Sequence, residues 1–461
     1  MNDREATRSW QGLRMSSPPD PGALARERAL LTQLASRPAA ARIRGYFGLL
    51  GPGYLQSAMT LGGGTVSSAL FAGAIFGYEL LWVAPLAMAL GLVMLSAVSW
   101  QTLSTGRRPW PAMREHAGPF FAWAWALGAL LSSIIWQFPQ YALASAVLVD
   151  MGDVVGLRNL SPVLTGGFVL AWALVVSGLY GRSERAVRVY ERLLQTMVWG
   201  IVVCFAWVVF QTGVSDWDAL FRGFFTFQVP GERNGVAAVT LVLSGVSAAV
   251  GVNMVFLYPY TLLARGWGRE HRELSQVDLL LGMFVPYAIA VSLVVIATAN
   301  TLHLDAAYQG TQLSPVEAAR VLAEGVGPIA GRLVFGVGVL GMALSSITLQ
   351  MLTCGFVAVE LFGLCVGSWQ HRLATWLPVP GVLGCVYWSD VAVWVAVPTN
   401  IVCGLFLPAA YAGFCLLQRS RAYLGEDRPT GAFGAAWLAA MLGVTLFLVS
   451  FLAWYVLGQL G

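Results

Sequence analysis

Leu61-Gly62-Gly63-Gly64-Thr65 is the stretch whose residue types first suggest chemistry. It lies inside an apolar run from about residue 46 to residue 77. A glycine costs roughly 1 kcal/mol against alanine in a helix interior. In hydrocarbon the freed N–H and C=O groups have no water to bond, so a break survives only where protein shields it or a wet cavity accepts it. Three contiguous glycines therefore predict a helix interrupted to bind a solute. The competing explanation is close helix packing, but packing motifs space their small residues by a turn.

A second oddity runs from Ser247 to Tyr260, where Gly251, Asn253 and Pro259 interrupt another apolar stretch. Proline removes a donor and clashes with the carbonyl four residues back. The polar groups inside the apolar stretches are neutral: Ser57, Thr60, Thr65, Ser68, Gln137, Gln140, Ser244, Asn253, Tyr258, Ser345, Thr348, Thr399 and Asn400. No Asp or Glu is expected in the interior of a core span. A dehydrated divalent ion in a low-dielectric site needs carboxylate or soft ligands. Neutral groups, with carbonyls freed near Gly62 and Gly251, suit an ion that keeps part of its water, as magnesium does. They equally suit a small zwitterion whose carboxylate faces the positive end of a half-helix starting near Thr65. Both chemistries remain open at this point.

The elements that must position these groups are membrane helices. Of the 461 residues, 57% are hydrophobic and 11% charged, which is a membrane composition. Eleven spans are expected, near 46–77, 79–102, 120–149, 162–180, 190–212, 236–264, 276–299, 329–363, 373–388, 391–417 and 435–458. Residues 1–41 are polar and lack an early apolar segment, so they form a cytoplasmic tail and not a signal peptide. Disorder is the expectation there, with a short amphipathic helix over 23–36 as the alternative. The transporter domain is then 42–461.

Every basic side chain is Arg, and the arginines gather in alternate loops. One set holds Arg42, Arg107, Arg182, Arg269, Arg372 and Arg419; the other carries Asp150, Asp216, Asp305, Glu317 and Asp390. Eleven spans with a cytoplasmic N-terminus and an outside C-terminus satisfy this alternation in a cell membrane. The net charge of +4 does not indicate nucleic acid, because it sits in short loops. The six cysteines lack metal-ligand spacing and are expected as small core residues. No phosphate-binding loop, His/Glu metal motif or nucleophile elbow is present, so an enzyme is not expected, and no cofactor is implied.

Two interrupted helices at corresponding positions of two five-span halves point to an inverted-repeat transporter. Leu131-Ser-Ser-Ile134 with Gln137 is echoed by Leu344-Ser-Ser-Ile347 with Gln350. Leu50-Gly-Pro-Gly53, then Ala72-Gly-Ala-x-Phe-Gly-Tyr-x-Leu-Leu-Trp82, resemble the first two spans of Nramp-type divalent metal transporters. Gly336-Val-Gly-Val-Leu340 and Tyr423-Leu-Gly-Glu426 are similar to later stretches of that family. The resemblance implies an all-α integral membrane protein with the LeuT-type inverted repeat of five plus five helices, an eleventh helix, and helices 1 and 6 broken.

The family's ligands mostly do not carry over. Its first-span Asp-Pro-Gly-Asn falls on Gly62-Gly63-Gly64-Thr65, and its sixth-span Met-Pro-His on Val255-Phe256-Leu257, with Met254 one residue out of register. The acidic pair associated with a proton route falls on Gln137 and Gln140, and the tenth-span Gln on Asn400. The expected substrate contacts are Gly62, Gly63, Gly64, Thr65, Gly251, Asn253, Met254 and Asn400, with a polar route through Gln137, Gln140 and Ser345; the metal ligands stay undefined. The expected function is transport of a divalent metal ion through the lipid bilayer by alternating access. The alternatives are a symporter of a small organic solute, such as an amino acid, and a membrane sensor or scaffold that does not transport.

Overall fold

The computed structural model describes residues 9–304, apart from residue 11, together with 315–387 and 392–460. Asp305 and Asp390, counted above among the acidic loop residues, lie outside the described residues.

Two helices precede the bundle, α1 (Pro21–Ala35) and α2 (Ala39–Tyr46). The Asp20 carboxylate accepts from Gly22 N at 3.0 Å and Ala23 N at 3.1 Å, and Pro21 follows, which is a strong helix start. Residues 21–35 thus depart from the disordered tail expected over 1–41. The cause is burial: Leu24, Leu31 and Leu34 face protein and not a membrane surface, and Glu27 pairs with His271 at 3.3 Å.

The first broken helix is α3 (Pro52–Thr60) followed by α4 (Gly63–Phe76). The two axes differ by 55°. Gly62 is extended at φ −132°, ψ −175°, which ends one helix and starts the next. Then come α5 (Val83–Thr105), α6 (Pro119–Val154), α7 (Pro162–Ser177) and α8 (Glu184–Thr212). The sixth span is α9 (Ala238–Ala249) and α10 (Val252–Ala264), interrupted by extended residues Val250 (φ −141°, ψ 100°) and Gly251 (φ −81°, ψ 159°). This break bends the span less than the first; its 27 residues still pass as one apolar rod. The seventh joins α11 (Arg272–Asp278), a π-helical turn Leu279–Phe284 and α12 (Val285–Ala299). After it come α13 (Phe335–Phe362), α14 (Ala392–Gly404), α15 (Leu407–Arg419) and α16 (Gly431–Leu460).

Among the described residues eight helices are long and apolar enough to cross a membrane, nine with α3–α4 counted as one span. The ninth expected span is different. Residues 369–387 form three short pieces: Trp369–Thr375, a 3-10 stretch Val379–Leu383, and Gly384–Tyr387. Pro378 and Pro380 lack backbone donors. Gly381 and Gly384 let this segment lie against α6: a Cβ there would sit 2.3 Å from Gln137 Cβ or 2.2 Å from the Phe138 carbonyl oxygen.

The arginine-rich loops are tied to one another by ion pairs. Arg42 reaches Glu273 at 2.8 Å, Arg108 reaches Glu360 at 3.0 Å, Arg265 reaches Glu191 at 2.5 Å, and Arg269 and Arg272 both hold Asp427. Arg28 of α1 pairs with Glu270. Burial pushes the Asp427 pKa up, but Arg269 and Arg272 outweigh it and hold the carboxyl below its ordinary value.

Candidate solute site at the helix breaks

The two breaks meet. Thr60, at the end of α3, lies 3.2 Å from the Ala249 carbonyl and 3.1 Å from Met254 Sδ, so its one hydroxyl proton serves two acceptors of the other broken span. Between the breaks is a cavity of about 40 Å³. Its wall includes Thr60, Gly62, Gly64, Thr65, Gln140, Ser247, Gly251, Asn253, Met254, Gln350 and Asn400. A water needs roughly 10–15 Å³ on this measure, so the space fits an ion with some water and is small for an amino acid.

The carbonyls freed at the first break do not point into this space unpaired. A helix leaves its last four C=O groups without intrahelical partners. Here the Ser57 carbonyl accepts from Leu61 N at 2.8 Å, and Ala58 from Ser345 Oγ at 2.9 Å. Met59 accepts from Ser346 Oγ at 3.1 Å, and Thr60 from Gly62 N at 2.8 Å and Thr65 Oγ1 at 2.6 Å. Main-chain oxygens as the principal ligands, expected from the glycines alone, therefore give way to side chains.

The side chains that remain are specific. Ser247 Oγ and Gln350 Oε1 belong to cavity-lining residues, are buried, and have no hydrogen-bond partner among the described residues. Burying an unpaired oxygen costs about 1–3 kcal/mol, so such atoms mark a place for a ligand. Gln350 Nε2 meanwhile donates to Ser346 Oγ at 3.1 Å, which turns its carbonyl oxygen the other way. Met254 adds a soft sulfur. Among the described residues no group of three or more His, Cys, Asp or Glu could hold a metal.

Gln140 fixes the start of α4. Its Oε1 accepts from Gly63 N at 2.9 Å, and its Nε2 donates to Ser346 Oγ at 3.0 Å. Asn400 Nδ2 donates to the Gly64 carbonyl at 3.2 Å and to Ser244 Oγ at 2.8 Å, which joins α14 to both broken spans. The glycines are needed for these approaches. A Cβ on Gly62 would lie 2.6 Å from Gln140 Nε2, and one on Gly64 would lie 2.4 Å from Asn400 Oδ1. Close packing and a ligand cavity thus coexist at the same run.

Of the expected site residues, Gly62, Gly64, Thr65, Gly251, Asn253, Met254, Asn400 and Gln140 meet around the cavity. Gly63, Gln137 and Ser345 stand behind it. Gln137 Nε2 donates to the Ile347 carbonyl at 3.1 Å, and Ser345 caps α3. Asn253 Oδ1 accepts from Met254 N at 2.9 Å, so this side chain satisfies a free donor of its own half-helix's first turn. Met254 itself faces the cavity while Val255, Phe256 and Leu257 do not, which moves the aligned register by one residue. Ser247, Gln350 and Trp136 were not among the expected contacts. Gln350 carried a signal in the repeat echo, whereas Ser247 and Trp136 carried none.

Tyr258 and Tyr260 are both fully buried in the core. Asp278, Glu191 and Glu360 are buried carboxylates near the ends of the expected spans, not in their interiors. None of the three lines the cavity.

A family model described as natural resistance-associated macrophage protein-like (Nramp) matches residues 53–457. The divalent metal cation transporter MntH of Agrobacterium fabrum is 24% identical over 420 residues, 88% of this chain and 87% of that one. MntH of Bacillus subtilis is 25% identical over 360 residues, 73% and 77% of the two chains. The solved manganese transporter of Eremococcus coleocola superposes with a TM-score of 0.69 at 13% identity, covering 96% of this chain and 97% of that one. A nucleobase-cation-symport-1 family transporter superposes with a TM-score of 0.55 at 13% identity over 88% and 93%. These likenesses give the fold, the LeuT-type inverted repeat with two broken helices. The family match spans nearly the whole bundle, and with it the chain is placed: it belongs to the Nramp family.

Proposed function

We propose that this protein is a secondary transporter that carries a divalent metal ion, partly hydrated as magnesium would be, through the membrane by alternating access. The observation that carries the reading is the cavity between the two breaks, with Ser247 Oγ and Gln350 Oε1 unpaired beside Met254 Sδ. Oxygen ligands of this kind suit hard cations, and the absence of a carboxylate on the wall favours an ion that keeps water. Membership of a family whose relatives include named divalent metal cation transporters supports the choice of solute. The volume of about 40 Å³ disfavours an amino acid in this conformation.

We place the N-terminus and the arginine-rich loops in the cytoplasm and the C-terminus outside, in a cell membrane. The pairing of those loops with one another supports a shared side. The lipid bilayer is the surrounding phase.

The test is uptake into liposomes holding the purified protein, with magnesium, manganese and amino acids offered separately, each with and without a pH gradient. Magnesium or manganese flux is expected, lowered roughly tenfold by Gln350→Leu or Met254→Ala. Amino-acid flux without metal flux would support the symporter in its place, and silence for every solute would support a sensor or scaffold.

A further inference from the structure

Asp278 is wholly buried at the end of α11 and does not line the cavity. Its Oδ1 accepts from Gly51 N at 2.9 Å and its Oδ2 from Gly53 N at 2.5 Å. These are the first donors of α3, the half-helix that ends at the cavity. A helix N-terminus carries about half a positive charge, so this carboxylate caps α3 from another span.

Among the described residues no arginine or histidine lies within ion-pair distance of Asp278. The charged groups around it are committed elsewhere. Arg265, following α10, pairs with Glu191 of α8 at 2.5 Å and donates to the Leu49 carbonyl at 3.1 Å. Glu273, on the same helix, pairs with Arg42, and Arg272 with Asp427. Glu27 of α1 pairs with His271. The titratable and charged groups that act on Asp278 are Tyr258 of α10, Arg265 and Glu191. The peptide donors of α3 are the groups that touch this charge directly, with Arg265 acting on it from further away.

The contact is also backbone on backbone. A Cβ on Gly53 would lie 2.1 Å from the Asp278 carbonyl oxygen, and one on Gly282 would lie 3.0 Å from Tyr54 N. Gly282 sits in the π-helical turn directly after Asp278. Such turns often mark functional positions. At its other end α3 is held by neutral hydroxyls, Ser345 and Ser346. A nine-residue helix fixed at two ends is free to swing when one of them lets go.

We propose that Asp278 is the positioning residue that clamps α3 shut, and that a proton taken up by its carboxylate releases α3 and opens the cavity toward the cytoplasm. The proposal rests on the transport reading and its orientation. The carboxylate uses one oxygen for each N–H. A proton on either oxygen removes the charge and leaves one oxygen a hydroxyl that accepts more weakly, so both charge-assisted bonds to α3 are weakened. Gln137 and Gln140 cannot titrate; Glu191 beside Gly51 and Glu360 beside Tyr260 are each paired with an arginine, whereas Asp278 holds the first donors of α3 without one.

Hydrogen exchange of residues 52–60 in the full-length protein in nanodiscs reads the clamp without any solute. Between about pH 8 and about pH 5, after correction for intrinsic amide exchange, their rate is expected to rise roughly tenfold or more as the charge-assisted bonds weaken. Asp278→Asn, which can accept on one side only, should show the raised rate at every pH, while α6 stays unchanged. A wild-type rate independent of pH would overturn the proposal, as would Asp278→Asn exchanging like the wild type. If that variant misfolds, the wild-type titration decides alone. Absence of metal flux would leave this result standing, and a negative result here would leave metal transport standing.

Discussion

Ser346 does more at the site than any residue the glycine run pointed to. Its hydroxyl donates to the Met59 carbonyl and accepts from both Gln140 and Gln350. Ser346→Ala would strand a carbonyl and two amide donors in the core. A loss of about 1–3 kcal/mol is expected, read as a lower melting temperature of the purified protein. Gly62→Asp tests the neutral-site idea from the other side. The new Cβ would press on Gln140 Nε2, the end of a flexible side chain, and on Ser346 Oγ at 2.8 Å, so both must shift. A carboxylate would then stand at the cavity. Manganese affinity is expected to rise roughly tenfold relative to magnesium, because a charged ligand favours an ion that sheds its water. Binding of both ions measured by calorimetry checks it; an unchanged ratio would speak against the cavity as the ion site.

His371 gives a pH prediction at the same scale. Burial, with the nearby Arg372 charge, pushes its ring down to about 4. The folded protein then holds this ring neutral where the unfolded chain would protonate it. Stability from this residue is full above the ordinary histidine value and declines as pH falls from about 6.5 toward about 4. Melting temperature should fall across that window, and less so in His371→Gln.

At the scale of elements, the broken helices were legible because three glycines and a Gly-Asn-Pro pattern have few other uses in hydrocarbon. The destination of the freed carbonyls was not legible. Ser345 and Ser346 lie nearly three hundred residues from Ala58 and Met59, and nothing local marks them as caps. The ninth span was misread for a related reason. Its apolar composition suggested a rod, while Pro378, Pro380, Gly381 and Gly384 set the backbone against α6. Helix contacts through glycine also define α4. A Cβ on Gly73 would lie 2.4 Å from the Val295 carbonyl oxygen on α12. Backbone cannot yield as a side chain does, so Gly73→Ala is expected to cost about 1–3 kcal/mol or prevent folding. Yield and thermal unfolding in detergent would show it, and a wild-type melting curve would contradict this packing.

For the whole molecule, the loop charges carried two messages, and the sequence showed only one. Alternation suggested sidedness, but the arginines also bind the loops together: α1 to Glu270, α2 to Glu273, and the 269–272 segment to Asp427. The acidic partners are scattered, which hides the network from any local pattern. The buried carboxylates Glu191 and Glu360 stand near helix ends for the same purpose, each holding one arginine. The tail that polar composition presented as disordered is partly drawn into this network through α1. Its three buried leucines are spaced for a helix, a signal masked by the arginines between them.

The central claim is that the meeting point of the two breaks is where the ion binds. A structure of the protein soaked with manganese, with anomalous scattering used to locate the metal, tests it without an assay of flux. The account predicts one anomalous peak within the cavity, flanked by Met254, Ser247 and Gln350. Manganese found only at surface carboxylates, with this cavity empty at saturating metal, would contradict it.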